Sequence, residues 1–538
     1  MGTHELAGTY GNSWELRWPP RRLLAALIVF TLILDAWIIF RYPVIYWEDS
    51  YTRFAMRGEI LLGRWLPPTQ IIIFLAAKLT PALALPRLVL SGFAAGAVAS
   101  IYVYTRDIFD EATGLAAAAL LATQVMFIAL STVPYVEVLF ILLLFLILYF
   151  FEHREKPGHR VIAYTLIGLA CLTRYDAWLF VPLFVLEEFL AGKPPSRPPA
   201  CGGMPFSPRK RGELEGGSLW HGLVKGGIAL LTLAAIPVGW YFFGTYDTLA
   251  HETDSLGRIL RGDVAVLLIN YARHALWQIR PDVMLFALIG FWLALKSPGA
   301  RRQPLRVLIL IAIQLAMLGI VGPWQPENLR LTFMAGVLIL PYAAHGLVTF
   351  ARKCLALVER GRGDPAPTGG LKSLAIVEGR LQPLLARGAL ALLAVLAFAA
   401  LTGFGLRFVA GAAAINRYQL PYLAGPVFER LPHQNILLLT EHPVSPYAFA
   451  TYTGLPLSTL YEPSPSTLSG VEGQTALTDL SAQSLQEHHI SHIVALYADP
   501  AELSDLERGL LALLESGGLP ARRTTIQGVT IWETGAQP

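Results

Sequence analysis

Charge is scarce in this sequence. Only 15% of its 538 residues are Asp, Glu, Lys or Arg, whereas 54% are hydrophobic and the mean hydropathy is +0.50. Soluble globular chains carry about 25% charged residues, so a water-soluble fold of this size is excluded and the bilayer is the expected solvent. Cysteine is scarcer still. Of three, Cys171 lies in an apolar run and Cys201 and Cys354 fall in segments expected on the cytoplasmic side, which excludes a disulfide framework. The formal charge of +4 comes from basic residues scattered along the chain, and no nucleic-acid footprint results. A cleavage site is lacking too. No small-residue motif follows the apolar stretch 23–40 behind Arg21 and Arg22, so the stretch reads as an uncleaved first span rather than a signal peptide.

Long apolar runs are what the sequence has in abundance. They lie at 23–40, 86–105, 113–131, 135–151, 161–173, 176–190, 222–244, 282–296, 305–322, 329–350 and 388–408, and predict about eleven membrane-spanning helices. Residues 71–84 are apolar but short and carry Lys78 and Pro81, which suits a helix lying at the interface. With the N-terminus in the cytoplasm, the inside loops include EHREKPGHR, PRKR, KSPGARRQPLR and 351–387 with seven Lys or Arg, as the positive-inside rule requires. The outside segments 41–70 and 245–280 break the trend with four Arg each, which makes those arginines candidates for holding something anionic.

The run 161–190 is read as two short arms around TRYD rather than as one span, because one span would put PRKR outside. Arms of about thirteen to fifteen residues reach only about 20 Å into a hydrocarbon core of about 30 Å. The turn between them is then expected below the membrane surface, with Arg174 and Asp176 lining a cavity. The Pro- and Gly-rich stretches 191–221 and 360–373 read as cytoplasmic linkers. After the last span, NILLLT, HIVALY and VTIWE have the pattern of strands and ELSDLERGLLALLES that of a helix. The expected fold is thus an α-helical polytopic membrane domain over residues 1–408, followed by a small extracytoplasmic α/β domain over 409–538.

Several polar residues stand where they are costly. Glu48 and Asp49 follow the first span directly, among aromatic residues; they suit a general base for a hydroxyl acceptor, or are solvated loop residues. Glu137 stands at the mouth of the fourth span, facing either a cavity or the outer surface. Asp35 lies inside the first span with no motif around it. Arg174 and Arg330 suit a lipid phosphate, or pair with Asp176 and Glu327. In the C-terminal region HHISH contains His488, His489 and His492; two histidines at four-residue spacing could share a helix face and bind zinc, but no third ligand is evident, and surface histidines are the plainer reading. HETD at 251–254 reads as loop polarity.

The order of these features resembles the GT-C glycosyltransferases that use polyprenyl-phosphate sugars, such as protein O-mannosyltransferases and lipid A aminoarabinose transferases, best over residues 20–245. The acidic dipeptide is Glu48 and Asp49, followed by Tyr51, by Pro67 and Pro68, and by Arg87 with Leu88. RDIFDEATG from Arg106 to Gly114 matches a cytoplasmic motif, Glu137 the second acid, and LTRYDAW the L-T-R motif. A departure is ALSTVPYVE, which has no Arg ahead of the second acid. The resemblance implies sugar transfer from a polyprenyl-phosphate donor to a lipid, glycan or protein acceptor, with inversion. Asp49 is then the expected base and Glu48 its alternate, with Tyr51, Arg53, Glu137, Arg174, Tyr175, Asp176 and Arg330 contacting substrate. No cofactor is assigned, and a divalent metal is left open. Two other readings stand beside it: a transporter or lipid flippase, which calls for repeated halves with broken helices in each, and a non-catalytic scaffold binding an envelope partner.

Overall fold

A computed structural model describes residues 20–43, 48–58, 60, 67–80, 82–174, 176–191, 280–297, 301–321, 329–360, 392–410, 421–423, 428, 435–440, 445–453, 455–463, 475–477, 480–497, 503–526 and 529–534. The expected span at 222–244 and the HETD stretch lie outside them.

Apart from one short polar helix in the first loop, the helices form where the apolar runs predict them. They are α1 (Pro20–Arg41), α2 (Glu48–Ala55), α3 (Pro67–Leu79), α4 (Ala84–Ile108), α5 (Glu111–Ala122), α6 (Val125–Ser131), α7 (Glu137–Glu152), α8 (His159–Thr173), α9 (Asp176–Ala191), α10 (Pro281–Lys296), α11 (Arg302–Val321), α12 (Leu329–Arg360) and α13 (Leu392–Ala410). Four are long and apolar enough to cross a bilayer unaided: α1, α4, residues Phe333–Ala356 of α12, and α13; α5 and α6 make a fifth if taken together across their 65° bend. By length and composition, the described residues therefore hold four or five crossings, against about eleven expected runs. Helices α7, α8, α9 and α10 have 15 or 16 residues, about 23 Å of rise, and fall short of the hydrocarbon thickness.

The run 161–190 is two helices, as the placement of PRKR required. Helix α8 ends at Thr173, Arg174 is extended (φ −145°, ψ 142°), and α9 begins at Asp176. The indole of Trp178 closes the corner by donating to the carbonyl of Cys171 at 2.7 Å.

Helix α7 is the centre of the bundle. Val138, Phe140, Ile141, Phe145, Leu148 and Phe151 are fully buried within it, the pattern of a helix that is apolar on all sides. Helix α1, by contrast, turns Ile33, Trp37 and Phe40 outward, as a lipid-facing helix does. Helices α10 and α12 meet backbone to backbone: a Cβ on Gly290 would lie 1.9 Å from the carbonyl oxygen of Tyr342, and one on Gly346 would lie 2.1 Å from that of Phe286. Small residues allow that approach, and close packing is the main force joining helices in lipid.

The C-terminal part contains β1 (Asn435–Thr440), α14 (Ser445–Thr453), β2 (Leu460–Glu462), β3 (Thr475–Ala476), α15 (Ala482–Glu487), β4 (Ile490–Leu496), α16 (Asp505–Glu515), β5 (Arg522–Ile526) and β6 (Val529–Glu533). They form one six-stranded sheet of order β3-β2-β1-β4-β6-β5, parallel from β3 to β4 and antiparallel beyond. The run NILLLT becomes β1 because a parallel strand is covered on both faces. Ser504 and Glu507 close a capping box at the start of α16, and Glu507 Oε1 also accepts from the Thr440 amide at 3.1 Å, which fixes α16 to the end of β1. Tyr447 and Ala448 of α14 belong to the apolar core of the helical bundle, so the sheet domain is seated on the bundle.

Candidate active site

The acidic dipeptide opens α2: the backbone places Glu48 and Asp49 in its first turn, while their side chains lie outside the described residues. An eight-residue helix has no stability of its own, so its neighbours must hold it. Three do. Buried Arg87 of α4 fixes the approach, donating through Nε to the carbonyl of Thr132 at 2.6 Å and through Nη1 and Nη2 to that of Tyr42 at 3.2 and 3.1 Å. Its Nη1 also reaches the carbonyl of Pro43 at 3.3 Å, so one guanidinium ties the exit of α1 to the turn after α6. Gln70, in the PPTQ that starts α3, donates to the carbonyls of Arg53 and Met56, both at 3.0 Å, and secures the end of α2. From the sheet domain, Tyr452 hydrogen-bonds the hydroxyl of Tyr51 at 2.7 Å. Ser50, Tyr51, Thr52, Arg53 and Phe54 are all buried as a result.

A second polar pair lies inside the bundle. Arg174, at the break between α8 and α9, donates through Nη1 to Glu137 Oε1 at 2.7 Å, with side-chain exposures of 6% and 2%. The guanidinium carbon stands 5.7 Å from the Phe140 ring centre, an additional cation–π contact. Glu137 is the first residue of α7, and its Oε2 is buried without a hydrogen-bond partner among the described residues. The two site candidates Glu137 and Arg174, 37 positions apart in sequence, are therefore brought together as one unit. Tyr175 and the side chains of Asp176 and Arg330 lie outside the described residues, as does Glu327. The described residues contain no group of three His, Cys, Asp or Glu placed to hold a metal ion.

Asp35 has partners that sequence reasoning did not find. It is buried in α1 and accepts from Ser91 of α4 at 3.0 Å and Ser131 of α6 at 2.8 Å. Ser91 lies one helical turn beyond Arg87, and Ser131 adjoins Thr132, so the carboxylate and guanidinium form a single polar seam under the first loop.

The opposite end of the bundle carries a separate ionic cluster. Buried Arg306 of α11 makes two 2.6 Å bonds to Glu187 of α9 and one of 2.9 Å to Glu152, the last residue of α7. Glu188 lies between Arg154 and Arg160 at 3.2 and 3.0 Å. The RDIFDEATG stretch folds here as the corner between α4 and α5. Asp110 caps α5 through the Thr113 amide at 2.8 Å, and a Cβ on Gly114 would sit 3.0 Å from the Tyr102 carbonyl. This motif serves the helix corner.

The HHISH histidines are dispersed. His488 ends α15, His489 has φ of 51°, and His492 lies on β4, so the two at four-residue spacing do not share a helix face. Burial lowers the pKa of His492, partly opposed by Glu533 on the neighbouring strand.

Residues 69–201 match the family described as dolichyl-phosphate-mannose-protein mannosyltransferase. Among solved structures, ArnT from Cupriavidus metallidurans bound to undecaprenyl phosphate aligns over 95% of this chain and 98% of its own, at 14% identity and a TM-score of 0.55. The apo state of the same protein aligns over 96% and 98%, at 14% identity and 0.56. The oligosaccharyltransferase of Archaeoglobus fulgidus in its apo form aligns over 90% of this chain and 70% of its own, at 14% identity and 0.49. No curated protein matches the sequence. The fold is that of the GT-C glycosyltransferases, a multi-pass membrane bundle followed by a small sheet domain.

Proposed function

We propose that the protein is a membrane glycosyltransferase that moves a sugar from a polyprenyl-phosphate donor to an acceptor on the extracytoplasmic face. The observation that carries this reading is the likeness of fold, over nearly the whole of both chains, to a structure holding undecaprenyl phosphate; the mannosyltransferase match at 69–201 agrees with it. The N-terminus is cytoplasmic in this reading. Helix α2 and the sheet domain then share the outer end of the bundle, while Arg154, Lys156, Arg160, Arg301, Arg302 and Lys353 crowd the inner end.

Asp49 takes the proton from the acceptor hydroxyl as its oxygen forms a bond to the anomeric carbon, with Glu48 as the alternate base. The bond from that carbon to the phosphate oxygen breaks, and its electron pair leaves on polyprenyl phosphate. Attack opposite to the departing phosphate inverts the anomeric configuration. The leaving group gains negative charge in this step, which Arg174 and Arg330 stabilise. Glu137 keeps the Arg174 guanidinium fixed in orientation beforehand, so little reorganisation accompanies the chemistry. Tyr51 and Arg53 contribute to the wall of the same site through α2.

Carrier binding tests the donor class. Purified protein in nanodiscs is titrated with undecaprenyl phosphate, with phosphatidic acid of matched charge as the comparison lipid. Saturable binding that favours the polyprenyl carrier and weakens in Arg174→Met is expected. Equal binding of both lipids would contradict a dedicated carrier site.

A further inference from the structure

We propose that the C-terminal domain completes the candidate site by holding α2, and that Tyr452 is a positioning residue for the helix that carries Glu48 and Asp49. The proposal rests on the glycosyltransferase reading for what α2 does, but the contact itself is independent of that reading.

The sequence of α2, EDSYTRFA, offers few apolar groups, yet the helix is buried along most of its length. Much of that cover comes from residues about four hundred positions away. The Tyr51 and Tyr452 hydroxyls are 2.7 Å apart, and their rings meet edge to face at 5.6 Å and 68°. Tyr422 packs on Tyr452 in turn, at 5.2 Å and 80°. The backbone of α2 is gripped as well, since Thr451 Oγ1 reaches the carbonyl of Tyr51 at 3.3 Å while also bonded to that of Tyr447 at 2.7 Å. Ala55, at the end of α2, packs against the second core of the sheet domain, which contains Phe428 and Phe449.

Tyr51 is thus held by both its side chain and its carbonyl, two residues after Asp49, which is about 3 Å along a helix axis. No slack is available between the grip and the acids. A displacement of α14 would move the first turn of α2, and reacting groups misplaced by about 1 Å lose on the order of a hundredfold in rate. The sheet domain therefore acts on turnover whatever the acceptor, a role distinct from choosing the acceptor.

The test uses the full-length protein in nanodiscs, with two readouts. Hydrogen exchange of the amides of residues 50–56 reports the hold on α2, and steady-state sugar transfer reports its use. Tyr452→Phe removes the hydroxyl bond and keeps the ring; a hydrogen bond of ordinary strength predicts exchange about 2- to 10-fold faster. Tyr51→Phe should match it, and the double variant should be no worse than either single. Tyr452→Ala, which also removes the ring, should exceed tenfold, with kcat falling in step, donor KM within about twofold of wild type, and the same loss for every acceptor. Unchanged α2 exchange in Tyr452→Ala would overturn the proposal. Faster exchange with unchanged kcat would overturn the positioning role. Faster exchange in the variants with no transfer even by wild type would leave the hold on α2 standing and sink the glycosyltransferase reading instead.

Discussion

Removing one member of the Glu137–Arg174 pair should destabilise the protein far more than removing both. The two side chains are 6% and 2% exposed and joined at 2.7 Å. In Arg174→Met the Glu137 carboxylate stays in the bundle with no guanidinium, and its Oε2 already has no hydrogen-bond partner among the described residues. Breaking a buried pair from one side costs about 3–5 kcal/mol, or a factor of about 2 × 10² to 5 × 10³ in the folded ratio, to which the lost, desolvated cation–π contact with Phe140 adds about 2 kcal/mol. Glu137→Gln should cost somewhat less, because the amide oxygen still accepts from Arg174. Pairing Arg174→Met with Glu137→Leu removes both charges and should return stability to within about 1–2 kcal/mol of wild type, since exchange of a buried pair for apolar groups is often near neutral. Unfolding in mixed micelles, followed by the fluorescence of the twelve tryptophans, measures all of these. The same double variant should still bind undecaprenyl phosphate more weakly than wild type, which separates the structural role of the pair from its proposed use. Single variants that cost under about 1 kcal/mol, or a double variant whose loss equals the sum of the singles, would refute the reasoning.

Gly290→Ala and Gly346→Ala should each destabilise by about 1–3 kcal/mol in the same assay, because each Cβ falls within 2.1 Å of a carbonyl on the facing helix. The pair should cost less than the sum, since either one already separates α10 from α12. Asp35→Leu leaves Ser91 without its carboxylate acceptor in the bundle and should cost about 1–3 kcal/mol, whereas Asp35→Asn keeps an acceptor oxygen and should cost less; equal losses would argue against the polar seam. His492 has its pKa lowered by burial in the sheet domain. The unfolded chain therefore binds more protons than the folded one near its own pKa of about 6.5; the stability that neutral His492 supports is present above that pH and is lost as pH falls through the folded value. His492→Gln should flatten the acid side of the domain's stability profile, and an unchanged profile would remove His492 as a cause.

What the sequence disclosed followed from properties that act along the chain. The distribution of basic residues divided 161–190 into two arms, because a single span would have put PRKR outside, and short apolar runs marked NILLLT, HIVALY and VTIWE as strands. What it concealed depends on contacts between distant segments. Glu137 and Arg174 each stood out as costly in a membrane, but the obvious partner for Arg174 was its neighbour Asp176, and only the fold of α7 against α8 brings the two together. Asp35 looked solitary because its hydroxyl partners lie 56 and 96 positions away. Arg87 read as an entry to a span, whereas it ties the backbone at the base of the acidic loop. Strands β2 and β3 escaped notice because they have three and two residues, too few for a period, and β5 because RRTTI is polar. The HHISH spacing suggested a shared helix face that the turn at His489 abolishes.

Sugar transfer by purified protein in nanodiscs, measured with a panel of radiolabelled polyprenyl-phosphate sugars for wild type and Asp49→Asn side by side, tests the central claim most directly. Turnover of at least one donor by wild type, collapsing in Asp49→Asn while donor binding survives, is the predicted result. Donor binding without turnover in either protein would contradict a glycosyltransferase and favour a carrier-lipid transporter, and turnover undiminished in Asp49→Asn would contradict Asp49 as the base.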